Sequence, residues 1–576
     1  MKPDITAPVF SFDYNGKPFK EYLTELTLNK SHKIENDIEI YKFIYLFSDG
    51  LEVTQLLTVY KKYNAMHWLL NFENKADTPS GILSNIKDSD ITFPFEYDAP
   101  QTPGYIVEKS TAKLIRTVGS NWERAEFNPK EEYILPNSHH AYNATEGRSS
   151  QGLAPFFDIN RGAMGVLVAV GWTGQWQASF DRGEKDITVR TGIEALNFKL
   201  LPKEKLRTSS IIYLEYDNGQ NNGHNLFRRL IKDHFSIIGK PGRPIYGPFS
   251  TFGWGGISSE KMVKRIKEMA KHDFGYEYYW IDAGWYGESV NPCPDEFTGD
   301  WYRHTGNWTI NKNYHPDELL EVSKTAEENG LKFLLWIEPE RVYKQTPTPT
   351  EHPDWFFKLD NNDIWLLNLG NEEALNGTVE IISNLIKKLN IGCYRQDFNT
   401  NPLSYWRQND EPERNGINEI KHITGLYRFW DILLERFPNM IIDNCASGGR
   451  RIDIETLQRS IPLWRSDYQC VWNNDSETTQ CHNTGISWWL PYSGTGTGNV
   501  LNDTYRVRSA FSSAMVENYW GYDTWEFSET QPLEWVEKIN KEYLNARPFF
   551  SCDYYPLVPF ALDDSGWTGW QYDRPE

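Results

Sequence analysis

Five carboxylates stand at the C-terminal ends of apolar runs: Asp282 after "YEYYWI", Glu338 after "KFLLWI", Asp397 after "IGCYRQ", Asp443 after "MII" and Asp467 after "IPLWRS". Any one of them could cap a following helix, but five together read as one site. A pair of carboxyl groups can cleave a glycosidic bond when one is ionised and the other protonated, and their separation decides between retention and inversion. Asp397 stands two residues after Arg395, whose fixed charge favours an ionised carboxylate and hence a nucleophile. Asp467 lies beside Trp464 and Tyr468, an apolar setting that favours a protonated, general-acid carboxyl; Arg465 would oppose that shift if it turned inward. Glu338 and Glu340 flank Pro339 where strand gives way to loop, so their side chains need not converge. Glu338 is expected to order the site by a hydrogen bond to Arg395. Asp443 and Asp453 read as caps or loop anchors.

Holding such groups requires elements that end together. From 244 to 547 the chain alternates strand and helix, with strands expected at 249–254, 278–282, 332–338, 364–369, 391–397, 440–444, 463–467 and 486–491. Eight such units favour a closed parallel barrel, in which functional groups gather at the C-terminal face. Helices are expected at 502–518 and 532–545. "GTGTG" at 494–498 lacks the Lys-Ser/Thr of a phosphate-binding loop and reads as a tight βα loop after the last strand. Upstream, residues 1–235 carry short Val-, Ile-, Thr- and aromatic-rich runs between Gly, Asn, Asp and Pro turns, the text of an antiparallel sandwich. Strand-like text returns at 548–576, expected either to join the barrel's periphery or to be the start of a C-terminal β domain cut short.

A net charge of −20 over 576 residues argues against nucleic acid and anionic membrane as partners. The start lacks the basic and apolar regions of a signal peptide, and no apolar run reaches the roughly 18 residues of a membrane span, which favours a soluble, cytoplasmic protein. Cys293, Cys393, Cys445, Cys470, Cys481 and Cys552 show neither C-x-x-C nor Cys/His spacing, so no metal is expected. The 23 Trp, 32 Tyr and 30 Phe suit sugar-binding walls and large cores alike, and tilt the reading towards a small-molecule or glycan substrate. A homo-oligomer stays open.

The ordered set "WIDAGWYG", "LLWIEPERV", "YRQDFN", "DNCASGGRR" and "LWRSD" resembles glycoside hydrolase family 36, retaining α-galactosidases and α-N-acetylgalactosaminidases. The resemblance implies a multidomain chain: an N-terminal β supersandwich at 1–235, a central (β/α)8 TIM barrel at 244–547 and a partial C-terminal β segment. It implies Asp397 as nucleophile and Asp467 as general acid/base. Asp282 would bind sugar hydroxyls, Trp254 and Trp336 would form an aromatic wall, and Arg395 falls where the family carries a Lys. Cys445 and Gly448 match the loop beside the sugar's 2-position. The implied activity is release of a terminal α-linked galactose by double displacement without a cofactor. The alternatives are α-N-acetylgalactosaminidase and, from another class, an inactive carbohydrate-binding protein. Ala283 in place of a second Asp, Arg395, Gln396, Arg465 and a missing Arg near 362–363 depart from the family, and imply an altered glycone preference.

Overall fold

A computed structural model describes residues 7–36, 38–94, 112–289, 293–470, 474–522, 531–563 and 565–574. The N-terminal part is antiparallel. A nine-stranded sheet runs, edge to edge, from Pro129–Ile134 through Ala112–Val118, Leu153–Asn160, Gly165–Gly171, Lys205–Tyr216, Ala65–Asn74 and Leu51–Tyr60 to Ile38–Leu46 and Thr27–Glu35. Alternation along Ala65–Asn74 sends Met66, Trp68, Leu70 and Phe72 to one face. There they join Phe157 of the same sheet and Trp176, Phe180 and Val189 from the second layer in one core. That layer includes the four-stranded sheet His139–Asn143, Trp176–Arg182, Asp186–Ile193 and Ser89–Pro94.

The sandwich and the barrel are welded together. Arg414–Asn415, from a barrel loop, adds an edge strand to a sandwich sheet by pairing with Asn197–Phe198. The sandwich core continues through Phe398, Tyr405, Trp406 and Ile417 of the barrel loops. Helix Gln220–His234 buries Phe227, Leu230 and Ile231 against Leu167, Ile212 and Leu214 on the other face of the large sheet.

Seven parallel strands follow one another sideways: Ile441–Asn444, Ile391–Gln396, Lys332–Ile337, Tyr278–Ile281, Phe249–Gly253, Ala514–Glu517 and Gly494–Gly496. Segment 461–463 completes the circle. The Ile461 amide donates to Ile442 O at 2.9 Å, and on its other side the Gly494 amide donates to Pro462 O at 2.7 Å. The barrel is therefore closed by eight staves. Its interior is apolar and aromatic, with Trp280, Leu334 and Trp336 among the buried residues.

Three expected strands are corrected. Ile364–Leu367 is a strand, but it lies in a small antiparallel sheet with Arg341–Tyr343 and Phe356–Phe357 outside the barrel wall. At 463–467 the stave is shifted towards 461–463, and Asp467 already opens a single 3₁₀ turn, Asp467–Cys470. The text at 486–491 ends helix Ser476–Ser487 and turns into the domain seam, where Trp488 stacks on His224 and Trp489 on Phe156. Its aromatic content serves that seam.

The missing staves lie in stretches read as loop and helix. "GTG" is a strand whose two glycines leave no room for a side chain: a Cβ on Gly494 would stand 2.1 Å from Leu463 O, and one on Gly496 would stand 2.4 Å from the Trp464 ring. The helix expected at 502–518 is short, Thr504–Ser509, and gives way to strand Ala514–Glu517. Helix Leu533–Ala546 follows near its expected place. Asp553–Pro556 and Trp570–Asp573 pair as a hairpin, pinned to helix Gln220–His234 by Arg228 and Asn225. Among the described residues no helix is long and apolar enough to cross a membrane.

Candidate active site

A cavity of about 570 Å³ opens at the C-terminal ends of the barrel strands. Successive strand residues face opposite ways, so Arg395 and Asp397 line it while Gln396 points out into the helix layer. There Gln396 donates to Glu340 and accepts from Trp430 Nε1 at 2.6 Å and Tyr394 Oη. Gln396 is therefore removed from the groups that could set glycone preference. Arg465 is removed too, since its guanidinium bonds Gly494 O and Thr495 in the barrel wall.

Asp397 accepts four hydrogen bonds. Phe398 N (2.8 Å) and Ser447 N (3.1 Å) reach Oδ1, and Asn399 Nδ2 (2.7 Å) and Trp336 Nε1 (3.1 Å) reach Oδ2. Burial pushes its pKa up, but the Arg395 charge and these donors outweigh burial and hold the carboxyl below the ordinary aspartate value. Asp467 lies in the same cavity, with no hydrogen bond to its carboxyl among the described residues. Burial and the neighbouring Asp397 charge lift its pKa to about 7, against the opposing pull of Arg395 and Arg450.

Arg395 is the hinge of the charge network. It lies over the Trp280 ring at 4.5 Å, donates from Nη1 to Asp443, and places Nε 3.2 Å from Asp282 Oδ2. Asp443 is fully buried and is fixed by Leu463 N, so it anchors Arg395 from below the cavity. Asp282 also accepts from Trp280 Nε1 and Ala283 N, both at 3.0 Å, and burial raises its pKa despite Arg395.

Glu338 does order the site, but through different partners from those expected. It takes a bidentate pair from Arg341, 2.8 Å and 2.5 Å, and receives Asn399 N and Nδ2. Asn399 is thereby set to donate to Asp397. Glu340 faces elsewhere, bonded to Arg451, His422 and Gln396. Asp453 forms a capping box with Thr456 at helix Ile454–Leu457 and accepts from Ser149 of the sandwich.

Of the residues expected at the site, Asp397, Asp467, Asp282, Arg395, Trp254 and Trp336 line the cavity. Cys445 and Gly448 do not. Cys445 is buried behind it, accepting the Gly448 amide, and Gly448 at φ 78° backs onto the Ser466–Asp467 backbone. Sequence reasoning missed several lining residues: Glu296, Tyr522 and Trp122, the last from the sandwich. Glu296 lies in an irregular loop and Trp122 in a turn, with no strand-end pattern to mark them. Among the described residues no cluster of His, Cys, Asp and Glu could hold a metal ion.

Comparison with known proteins finds similar chains. The Melibiase family profile matches residues 210–478. The chain is 26% identical over 595 aligned positions to the α-galactosidase AgaA of Geobacillus stearothermophilus, covering 98% of this chain and 76% of that one. It is 25% identical to the α-galactosidase Mel36A of Lactobacillus acidophilus over 57% of this chain and 45% of that protein. Among solved structures, AgaA in complex with stachyose superposes with a TM-score of 0.77 at 21% identity, over 96% of this chain and 78% of that one. The α-galactosidase of Lactobacillus brevis gives 0.77 at 18% identity, over 99% and 77%.

Proposed function

We propose that this chain, which matches the Melibiase family profile over residues 210–478, is a retaining exo-α-glycosidase that releases a terminal α-linked galactose. The observation that carries the reading is the opposite perturbation of two carboxyls in one cavity: Asp397 is held ionised and Asp467 is held protonated up to about pH 7. In this reading Asp397 attacks the anomeric carbon, forming a glycosyl ester as the glycosidic bond breaks, while Asp467 delivers its proton to the leaving oxygen. Asp467, now ionised, takes a proton from water, which displaces Asp397 and frees the sugar. Trp336 and Asn399 hold one Asp397 oxygen and two backbone amides hold the other, so the nucleophile is oriented before substrate arrives. The relatives named as α-galactosidases support galactose as the glycone.

The test uses nitrophenyl α-glycosides of galactose, N-acetylgalactosamine and glucose. Galactoside is expected to react fastest, with the α-anomer of galactose formed first. Asp397→Gly is expected to lose turnover and, given azide, to yield the β-galactosyl azide; Asp467→Ala with azide is expected to yield the α-azide. A preference for another glycone would overturn the substrate, and a β-anomer as first product would overturn the mechanism.

A further inference from the structure

One carboxylate in the cavity, outside this chemistry, lacks a full set of partners. Glu296 lines the same wall as Asp282 and Trp254, on a loop tied to the aromatic residues around it. Trp254 Nε1 donates to Cys293 O at 2.6 Å, Trp301 Nε1 to Glu296 O at 3.1 Å, and Cys293 Sγ to Thr298 O at 2.7 Å. These bonds fix the loop's backbone against the cavity.

The Glu296 side chain is half satisfied. Its Oε1 accepts from the Tyr522 hydroxyl at 2.8 Å, while its Oε2 is shielded from solvent and has no partner among the described residues. An unpaired carboxyl oxygen out of water is costly, and natural structures keep such groups when a ligand completes them. Burial lifts the Glu296 pKa to about 7, and Asp282 and Asp295 add to the rise. The other carboxylates of the cavity are occupied. Asp282 accepts from Trp280 and Ala283 N and faces Arg395, Asp295 closes a turn onto Phe297 and Thr298, and Asp397 and Asp467 are committed to the reaction. Ala283, buried beside Asp282, offers no side-chain acceptor.

We propose that Glu296 binds a hydroxyl group of the sugar held in the cavity, making it a specificity-determining residue. This rests on the reading of the cavity as a glycone site. The contact completes the hydrogen bonding of Oε2 and couples the fit of the sugar to Tyr522, which holds the other oxygen.

The experiment compares wild type, Glu296→Ala, the isosteric Glu296→Gln and Tyr522→Phe. Each is assayed on nitrophenyl α-galactoside and its four monodeoxy counterparts, lacking in turn the hydroxyl at carbon 2, 3, 4 or 6. Glu296→Ala is expected to lower kcat/KM on the intact sugar by roughly 10- to 100-fold. On one deoxy sugar, the one lacking the bound hydroxyl, wild type and variant should be equally slow. Glu296→Gln should retain the fold and a smaller loss with the same pattern, whereas Tyr522→Phe should weaken that discrimination without erasing it. A loss of equal size on all five substrates would mean a structural role, and no loss would mean no contact; either overturns the proposal. If wild type prefers another glycone, the galactose reading falls and the deoxy series of that glycone decides Glu296. If wild type neither cleaves any sugar nor binds galactose by calorimetry, both fall.

Discussion

Asp397 and Asp467 are the same residue type with opposite protonation, and the difference is made by donors. Asp397 has four and faces Arg395; Asp467 has burial and a negative neighbour. The kcat/KM profile should therefore fall on its alkaline side near pH 7, as Asp467 loses its proton, and hold on its acid side to below the ordinary aspartate value, since Asp397 stays ionised. A pH–rate profile with the alkaline limb well above 8 would remove Asp467 from the acid role. The same shift costs stability. Between the ordinary aspartate value and about pH 7, the folded chain keeps a proton at Asp467 that the unfolded chain releases, so stability falls as pH rises through that window. Asp467→Asn should thus melt higher than wild type at about pH 8 and show no difference at about pH 3, where both side chains are neutral. Differential scanning calorimetry at the two pH values checks this.

Among the elements, the barrel's closure depends on a strand with glycine at both ends. Gly494→Ala places a methyl against Leu463 O and should lower the melting temperature by an amount that reflects about 1–3 kcal/mol of overpacking, with activity lost in step because Asp467 lies four residues past Leu463. An unchanged melting curve would show that the stave can slide. This strand also marks where the sequence stops being legible. The staves ending at Asp282, Glu338, Asp397 and Asp443 announce themselves by apolar runs that stop in charge. Gly494–Gly496 has no apolar signal, because its strand character comes from the backbone of its neighbours. The run at 486–491 misleads for the converse reason: its tryptophans are apolar on behalf of the domain seam. At the site, the strand-borne carboxylates, Arg395 and both expected tryptophans could be read from the sequence. Glu296, and the orientation of Gln396 away from the cavity, needed coordinates, since a loop has no period and a strand's facing direction depends on register.

At the scale of the molecule, the sandwich reaches into the candidate site. Arg148 is buried and donates from Nη1 to Phe398 O (2.9 Å) and Ala446 O (3.3 Å) and from Nη2 to Asn401 Oδ1 (2.6 Å), spanning the loops that follow Asp397 and Cys445. Ser150 adds a bond to Gly449 O and receives Ile452 N. Arg148→Ala leaves those acceptors unpaired and should cost about 2–4 kcal/mol, with kcat reduced more than KM, because it loosens the backbone that presents an amide to Asp397. Steady-state kinetics and thermal melts check the pair; intact kcat would free the centre from its neighbour. The consequence concerns inheritance and synthesis. A ribosome makes residues 139–216 before either aspartate of the proposed pair, so the segment that will grip their loops precedes them in the chain. A gene segment encoding the barrel alone would carry every reacting group and still lack the means to hold them, so recombination within such proteins should preserve this sandwich and barrel as a matched pair.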